Sequence, residues 1–192
     1  RLLLSIPFEN QKLYFQAWKL DFRGLTLHLL DANVVENSPE LRKITDSLYG
    51  SEPGRRIVQE WLLSVGGLEL IKKLGIKPRI FHMNEGHTAF LVAGRIADMM
   101  RTEKLSFDEA LNYVRFTTLF TTHTPVAAGH DEFPIGTALP LLSHYCTDPV
   151  WLERIVGMAS SLAGSGTDGK FSMTALAVRG SRWVNAVSKI HQ

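Results

Sequence analysis

The chain has 192 residues, 45% hydrophobic and 21% charged, the size and composition of one domain, 1–192, able to bury a core without staples. A total of 21 Lys and Arg against 19 Asp and Glu leaves a formal charge of +2, without the basic excess of a nucleic-acid binder. The single cysteine, Cys146, excludes an intramolecular disulfide and a cysteine-rich zinc site, and fits a reducing, cytoplasmic setting.

Arg1-Leu2-Leu3-Leu4-Ser5-Ile6 is apolar but breaks at Pro7, well short of the roughly 20 residues that span a bilayer, and it lacks the regions of a secretory signal. It reads as a strand entered in mid-course, and the missing initiator Met points to a piece of a longer chain. Lys12–Trp18 and Leu25–Leu30 are aromatic or β-tolerant runs separated by Asp21-Phe22-Arg23-Gly24, the pattern of a hairpin that ends at Asp31-Ala32-Asn33. Ser38-Pro39-Glu40 opens a short helical link. Ile57, Trp61, Val65, Leu68 and Ile71 recur at helical spacing, which predicts one long helix from Arg56 to Leu74, stopped by Gly75 and Pro78.

Ile80-Phe81-His82-Met83 reads as a short buried strand, with Asn84 placed to cap a helix from about Gly86 to Met100. Ser106-Phe107-Asp108-Glu109 is a capping box for a helix reaching about Val114. Phe116–Thr122 favours a strand ending at His123-Thr124-Pro125, because proline lacks an amide for the ladder. Asp148-Pro149 starts a helix holding Trp151, Leu152, Ile155 and Val156. Beyond a loop from Gly164 to Lys170, two further helical stretches are predicted to meet near Gly180. The expected fold is α/β, a mostly parallel sheet flanked by helices on both faces, with a β-hairpin near the start and ligands gathered at the carboxyl ends of the strands.

Both histidine-rich turns fall at such strand ends. Asn84-Glu85-Gly86-His87 can converge on an oxygen-rich ligand, although a plain capping turn accounts for the same spacing. Thr121-Thr122-His123-Thr124-Pro125 sets an imidazole among hydroxyls, and a structural histidine in a turn is the simpler alternative. His82, His87, His123 and His130, with Glu85 and Asp131, could be read as a metal site. The spacing of His82 and His87 across a strand-to-helix junction is unlike that of a zinc-protease pair, so no metal is expected. Gly164–Lys170 imitates a phosphate-binding loop but has Phe171 where a hydroxyl is required, so a surface loop is expected. Cys146 has no activating base nearby in sequence and reads as an idle thiol.

Phe81-His82-Met83-Asn84-Glu85-Gly86-His87-Thr88-Ala89-Phe90 and Phe120-Thr121-Thr122-His123-Thr124-Pro125-Val126-Ala127-Ala128-Gly129-His130-Asp131 closely resemble signature stretches of the α-glucan phosphorylases of glycogen, starch and maltodextrin, above all the short bacterial and archaeal subgroup. Leu29-Leu30-Asp31-Ala32-Asn33, Glu36-Asn37-Ser38, Ile44–Gly50 and Trp183–His191 match in the same order. The resemblance implies a partial Rossmann-like (GT-B type) domain, a middle-to-late segment of the N-terminal half. It also implies a parent enzyme that uses pyridoxal phosphate to cleave α-1,4-glucan with inorganic phosphate, giving glucose 1-phosphate. The cofactor lysine of the family lies in the C-terminal domain, outside this chain.

Carried over by motif, His123 resembles the histidine that contacts the glucosyl unit at the cleavage site. Glu85 and His87 match positions on the acceptor-sugar side, and Asn84 and Thr124 stand beside them as substrate-binding candidates. Glu-Gly replaces the Asp-Thr of other members before His87, and Gly50–Gly54 align only loosely with a gate, to which no residue is assigned. Sugars are neutral and ringed with hydroxyls, so fixed donors and acceptors suit them better than charge; Glu85 accepts when ionised, His87 can donate and His123 can do either. These residues are expected to bind and orient, the cofactor phosphate supplying the acid. The partners implied are α-1,4-glucan or maltodextrin, phosphate and the C-terminal domain, with no nucleic acid and no membrane. Separated from that domain, an unpaired edge and an apolar surface would favour a homo-oligomer. A non-catalytic glucan-binding or regulatory module and a metal-dependent hydrolase are the alternatives.

Overall fold

The computed structural model describes residues 2–48, 53–123, 130–160 and 169–188. It opens with an antiparallel meander of β1 (Leu3–Phe8), β2 (Gln11–Phe22) and β3 (Leu25–Asp31). Arg23 and Gly24, with φ of 49° and 80°, make the two-residue turn between β2 and β3, whose mirror-image twist matches that of the strands. The predicted hairpin is therefore present, with longer strands and a third partner. Its base is buried through Ile6, Phe8, Leu13 and Phe15. Asn37 ties the next loop to it, accepting from the Tyr14 amide at 2.9 Å and donating to the carbonyls of Tyr14 and Ala32.

Ser38 caps the short helix α1 (Pro39–Arg42), as its side chain type favours. The long predicted helix is α2 (Pro53–Trp61), a π turn over Leu62–Gly66, and α3 (Gly67–Lys73). Gly66 faces the Phe15 ring, and a Cβ there would lie 2.9 Å from Leu62 Cδ1 and in ordinary contact, 3.4 Å, with that ring. The Trp61 indole N–H reaches the Pro7 carbonyl at 3.0 Å and ties the helix to the meander.

The main sheet is wholly parallel: β4 (Phe81–Asn84), β5 (Thr118–Thr122) and β8 (Trp183–Ala186), with β5 central. Between β4 and β5 run a 3-10 turn (Gly86–Thr88), α4 (Phe90–Thr102) and α5 (Phe107–Phe116), the last opened by the predicted capping box of Ser106 and Glu109. Between β5 and β8 lie β6 (Glu132–Pro134), α6 (Ile135–Tyr145), α7 (Pro149–Met158), β7 (Lys170–Ser172) and α8 (Met173–Arg179), with Asp148 capping α7. Phe90, Val92, Ala93 and Ile96 of α4 lie in a continuous core with Trp61, Met83, Phe120, Trp151 and Phe171. Trp61 meets Phe90 edge-on at 5.2 Å between centroids, and Phe90 stacks on Phe171 at 5.5 Å.

Three expectations are corrected. The second helical stretch after Gly180 is the strand β8: Gly180 ends α8, and Trp183-Val184 suits an extended chain paired with β5. β4 is not wholly buried, since only Met83 of its four residues is, while His82 and Asn84 are exposed. With Trp183 and Asn185 of β8 also exposed, the sheet is not covered on both faces among the described residues. No helix among them is long and apolar enough to cross a membrane.

Candidate functional site

Parallel pairing sets Asn84 opposite Thr121 and Thr121 opposite Asn185, so all three strands deliver their carboxyl ends to one edge. There the chain leaves β4 through Glu85, at φ 71° and ψ 170°, a backbone region otherwise close to glycine's own. The neighbouring strand over-determines this conformation. The Glu85 amide donates to the Thr121 carbonyl at 2.9 Å, and its buried carboxylate accepts from the main-chain amide of His123. One residue thus joins the ends of β4 and β5. Gly86 follows with Thr174 and Met173 of α8 against it, at 3.3 and 3.5 Å from where a Cβ would stand.

His87 turns from that edge towards α2. Its Nδ1 lies 2.8 Å from Arg56 Nη2 and 3.0 Å from Asp131 Oδ2, and Arg56 Nη2 also donates to Asp131 Oδ2 at 3.0 Å. Behind them Arg56 Nε donates to Glu60 Oε1 at 2.7 Å, and Glu60 is 2% exposed. Burial, with the Asp131 charge beside it, pushes the Glu60 carboxyl up to about 9, so it carries a proton at neutral pH. Burial works in the same direction on Asp131, yet hydrogen bonds from His87 and Arg56 outweigh it and hold that carboxyl well below the usual range.

His123 is exposed, its main chain held by Glu85. Asn84 is exposed at the end of β4 and does not cap the helix; Glu85 occupies the cap position, without a side-chain capping bond. Thr124 lies outside the described residues, as do most of the Gly50–Gly54 and Gly164–Lys170 segments. Glu85, His87 and His123 therefore come from turns at adjacent strand ends, and Glu85 is the direct link between two of them.

The four histidines do not assemble into a metal centre. His82 Nε2 contacts Thr121 Oγ1 at 2.8 Å, His130 Nδ1 contacts Thr174 Oγ1 at 2.9 Å, and His87 pairs with Asp131. Because Thr121 Oγ1 donates to Asn185 Oδ1 at 2.6 Å, His82 is the donor in its own contact, giving a polar ladder across three strands. Glu60, His87 and Asp131 do place ligand atoms within 4.8 Å of one another. The Arg56 guanidinium already supplies the cation among them, which opposes a divalent ion at the same spot.

Sequence reading missed Glu60 and Arg56, which lie four residues apart on α2 beside the buried Ile57 and Trp61. A charged pair at that spacing on an apolar face was the available signal. Lys170 pairs with Glu132 at 3.1 Å on the surface, and every described lysine is exposed. None of them has the buried setting that a pyridoxal Schiff base requires. Burial raises the Cys146 thiol, in keeping with an idle side chain.

No family model matches the chain. It is 45% identical over 99% of its length to a maltodextrin phosphorylase of Thermococcus litoralis. It is 36% identical over 95% to a glycogen phosphorylase of Mycobacterium tuberculosis, and 32% identical over 96% to one of Aquifex aeolicus. It spans 22%, 22% and 26% of the length of these relatives.

Proposed function

We propose, from the premise that this chain belongs to the α-glucan phosphorylase family, that it forms the sugar-binding part of the N-terminal half of a cytoplasmic enzyme that cleaves α-1,4-glucan with phosphate. The observation that carries this reading is the Glu85 link, which sets the two histidine turns side by side at the carboxyl edge of a parallel sheet, where α/β folds place their ligands. His123 contacts the glucosyl unit at the cleaved bond. Glu85, His87, Asn84 and Thr124 line the acceptor side.

The groups offered at this edge are a carboxylate, imidazoles and hydroxyls, which suits a polyhydroxylated neutral ligand. Pyridoxal phosphate, when bound to the parent enzyme, supplies the proton that assists departure of the sugar. Its lysine is expected in the C-terminal domain, as the family resemblance implies. The side chains here bind, orient and exclude water.

The test uses the full-length parent, assayed for glucose 1-phosphate from maltodextrin and phosphate. His123→Ala is expected to lower the rate about a hundredfold through lost positioning, with the protein still folded. A variant with the parental rate would remove His123 from the site.

A further inference from the structure

We propose that Glu85 is a positioning residue for His123: its side-chain carboxyl takes the place of its own main-chain carbonyl as the last rung between β4 and β5, and so fixes the direction in which His123 leaves the sheet. That His123 then meets the glucosyl unit rests on the reading given above; the rung stands on the geometry of the two strand ends.

β4 and β5 pair in parallel, with Asn84 opposite Thr121. In a parallel ladder a residue donates its amide to the carbonyl one place before its opposite number, and its own carbonyl accepts from the amide one place after it. The Glu85 amide donates to the Thr121 carbonyl at 2.9 Å, which sets Glu85 opposite Thr122 and makes the His123 amide the donor due to the Glu85 carbonyl. The His123 amide donates to the Glu85 carboxylate instead. The backbone of Glu85 is the cause. With φ at 71° and ψ at 170° its carbonyl leaves the ladder for the 3-10 turn, where the Thr88 hydroxyl donates to it at 3.4 Å. One residue thus starts the turn with its main chain and closes the sheet with its side chain.

Stability alone does not favour glutamate here. The backbone region is one that glycine enters without strain and other residues do not. Glu85 is 8% exposed, and its side chain makes no capping bond to the turn it precedes. A carboxylate buried to this degree needs a hydrogen-bond donor, and the His123 amide supplies it. In return the peptide plane entering His123 is fixed one residue beyond the end of β5, and with it the direction of the Cα–Cβ bond. The exposed imidazole is therefore carried on a main chain held from the neighbouring strand. Glutamine keeps an oxygen able to accept at the same reach, whereas glycine suits the backbone and has no rung.

The test uses the full-length parent. Glu85→Gly is expected to keep or raise the melting temperature, because strain is relieved as the rung is lost, and to lower kcat for glucose 1-phosphate formation about tenfold with little change in KM for maltoheptaose. Glu85→Gln is expected to recover most of that loss. A Glu85→Gly enzyme that melts earlier makes Glu85 a structural residue, and one with the parental kcat, or a Glu85→Gln enzyme equally slow, likewise overturns the proposal. Glu85→Gly combined with His123→Ala is expected to be no slower than His123→Ala alone; losses that multiply give Glu85 a sugar contact of its own and overturn its action through His123. A parental rate in His123→Ala defeats the sugar reading alone. The rung is then judged by crystal structures, with the Glu85 carboxylate expected on the His123 amide in the parent and the His123 main chain displaced in Glu85→Gly. An unmoved His123 overturns it.

Discussion

Glu85 is held at a backbone angle that costs an ordinary residue on the order of 1–3 kcal/mol, and it is held there by bonds to both Thr121 and His123. Such strain at a strand end beside the histidine turns is the residue-level mark of a site shaped for something other than stability alone. Glu85, His87 and His123 were legible because contiguous motifs carry them. Arg56 and Glu60 were not, because helical periodicity assigns polar residues outward, and only the fold brings Asp131 against them. Their protonation has a consequence for stability. A carboxyl raised from its ordinary value to about 9 in the folded state contributes stability below the unfolded value, and this is lost as pH climbs towards 9. Asp131, shifted the other way, contributes above its unfolded value and loses it as pH falls into the acid range. Urea denaturation from pH 5 to 9 is expected to show stability declining with pH, with a limiting slope of about 1.4 kcal/mol per unit from Glu60. Glu60→Gln should flatten that decline; a variant with an unaltered slope would place the proton elsewhere.

At the scale of elements, the sequence reading succeeded where local chemistry decides the outcome. The Arg23-Gly24 turn, the capping box of Ser106 and Glu109, and the Asp148-Pro149 helix start are set by a few adjacent residues. It failed where tertiary contact decides. Asn84 has a capping side chain but lies inside β4, because pairing with β5 extends the strand to it. Trp183–Ala186 is equally ambiguous in isolation and becomes a strand because β5 offers it a partner. The chain passes close to α4 as it leaves α8 for β8: a Cβ at Gly180 would run into both methyl groups of Val92. Gly180→Ala is accordingly expected to destabilise the fold by about 1–3 kcal/mol through overpacking, and Gly180→Ala with Val92→Ala to recover part of it. A Gly180→Ala melting curve matching the original chain would contradict this packing.

Over the whole molecule, the apolar surface is unevenly distributed. In the outer half of the β2–β3 hairpin, Trp18 faces Leu29, Leu20 faces Leu27 and Phe22 faces Leu25, and all six side chains stand on one face with more than half their surface exposed. A patch of this kind on a sheet is a site of association. The isolated chain is expected to self-associate in light scattering at high concentration, and Leu20→Lys with Leu27→Glu to reduce it; a clean monomer of the unmodified chain would count against the expectation. The curated relatives are four to five times longer than the segment they share with this chain. The family was legible because long motifs recur in order, whereas the exposure of the hairpin and of the outer sheet face could be read only from the fold.

The crystal structure of the full-length parent with maltoheptaose bound tests the central claim most directly. The account predicts one glucan chain lying across the carboxyl edge of β4 and β5, within hydrogen-bond distance of both His87 and His123, with the Glu85 carboxylate still on the His123 amide. A glucan bound well away from that edge, or one that touches neither histidine, would contradict it.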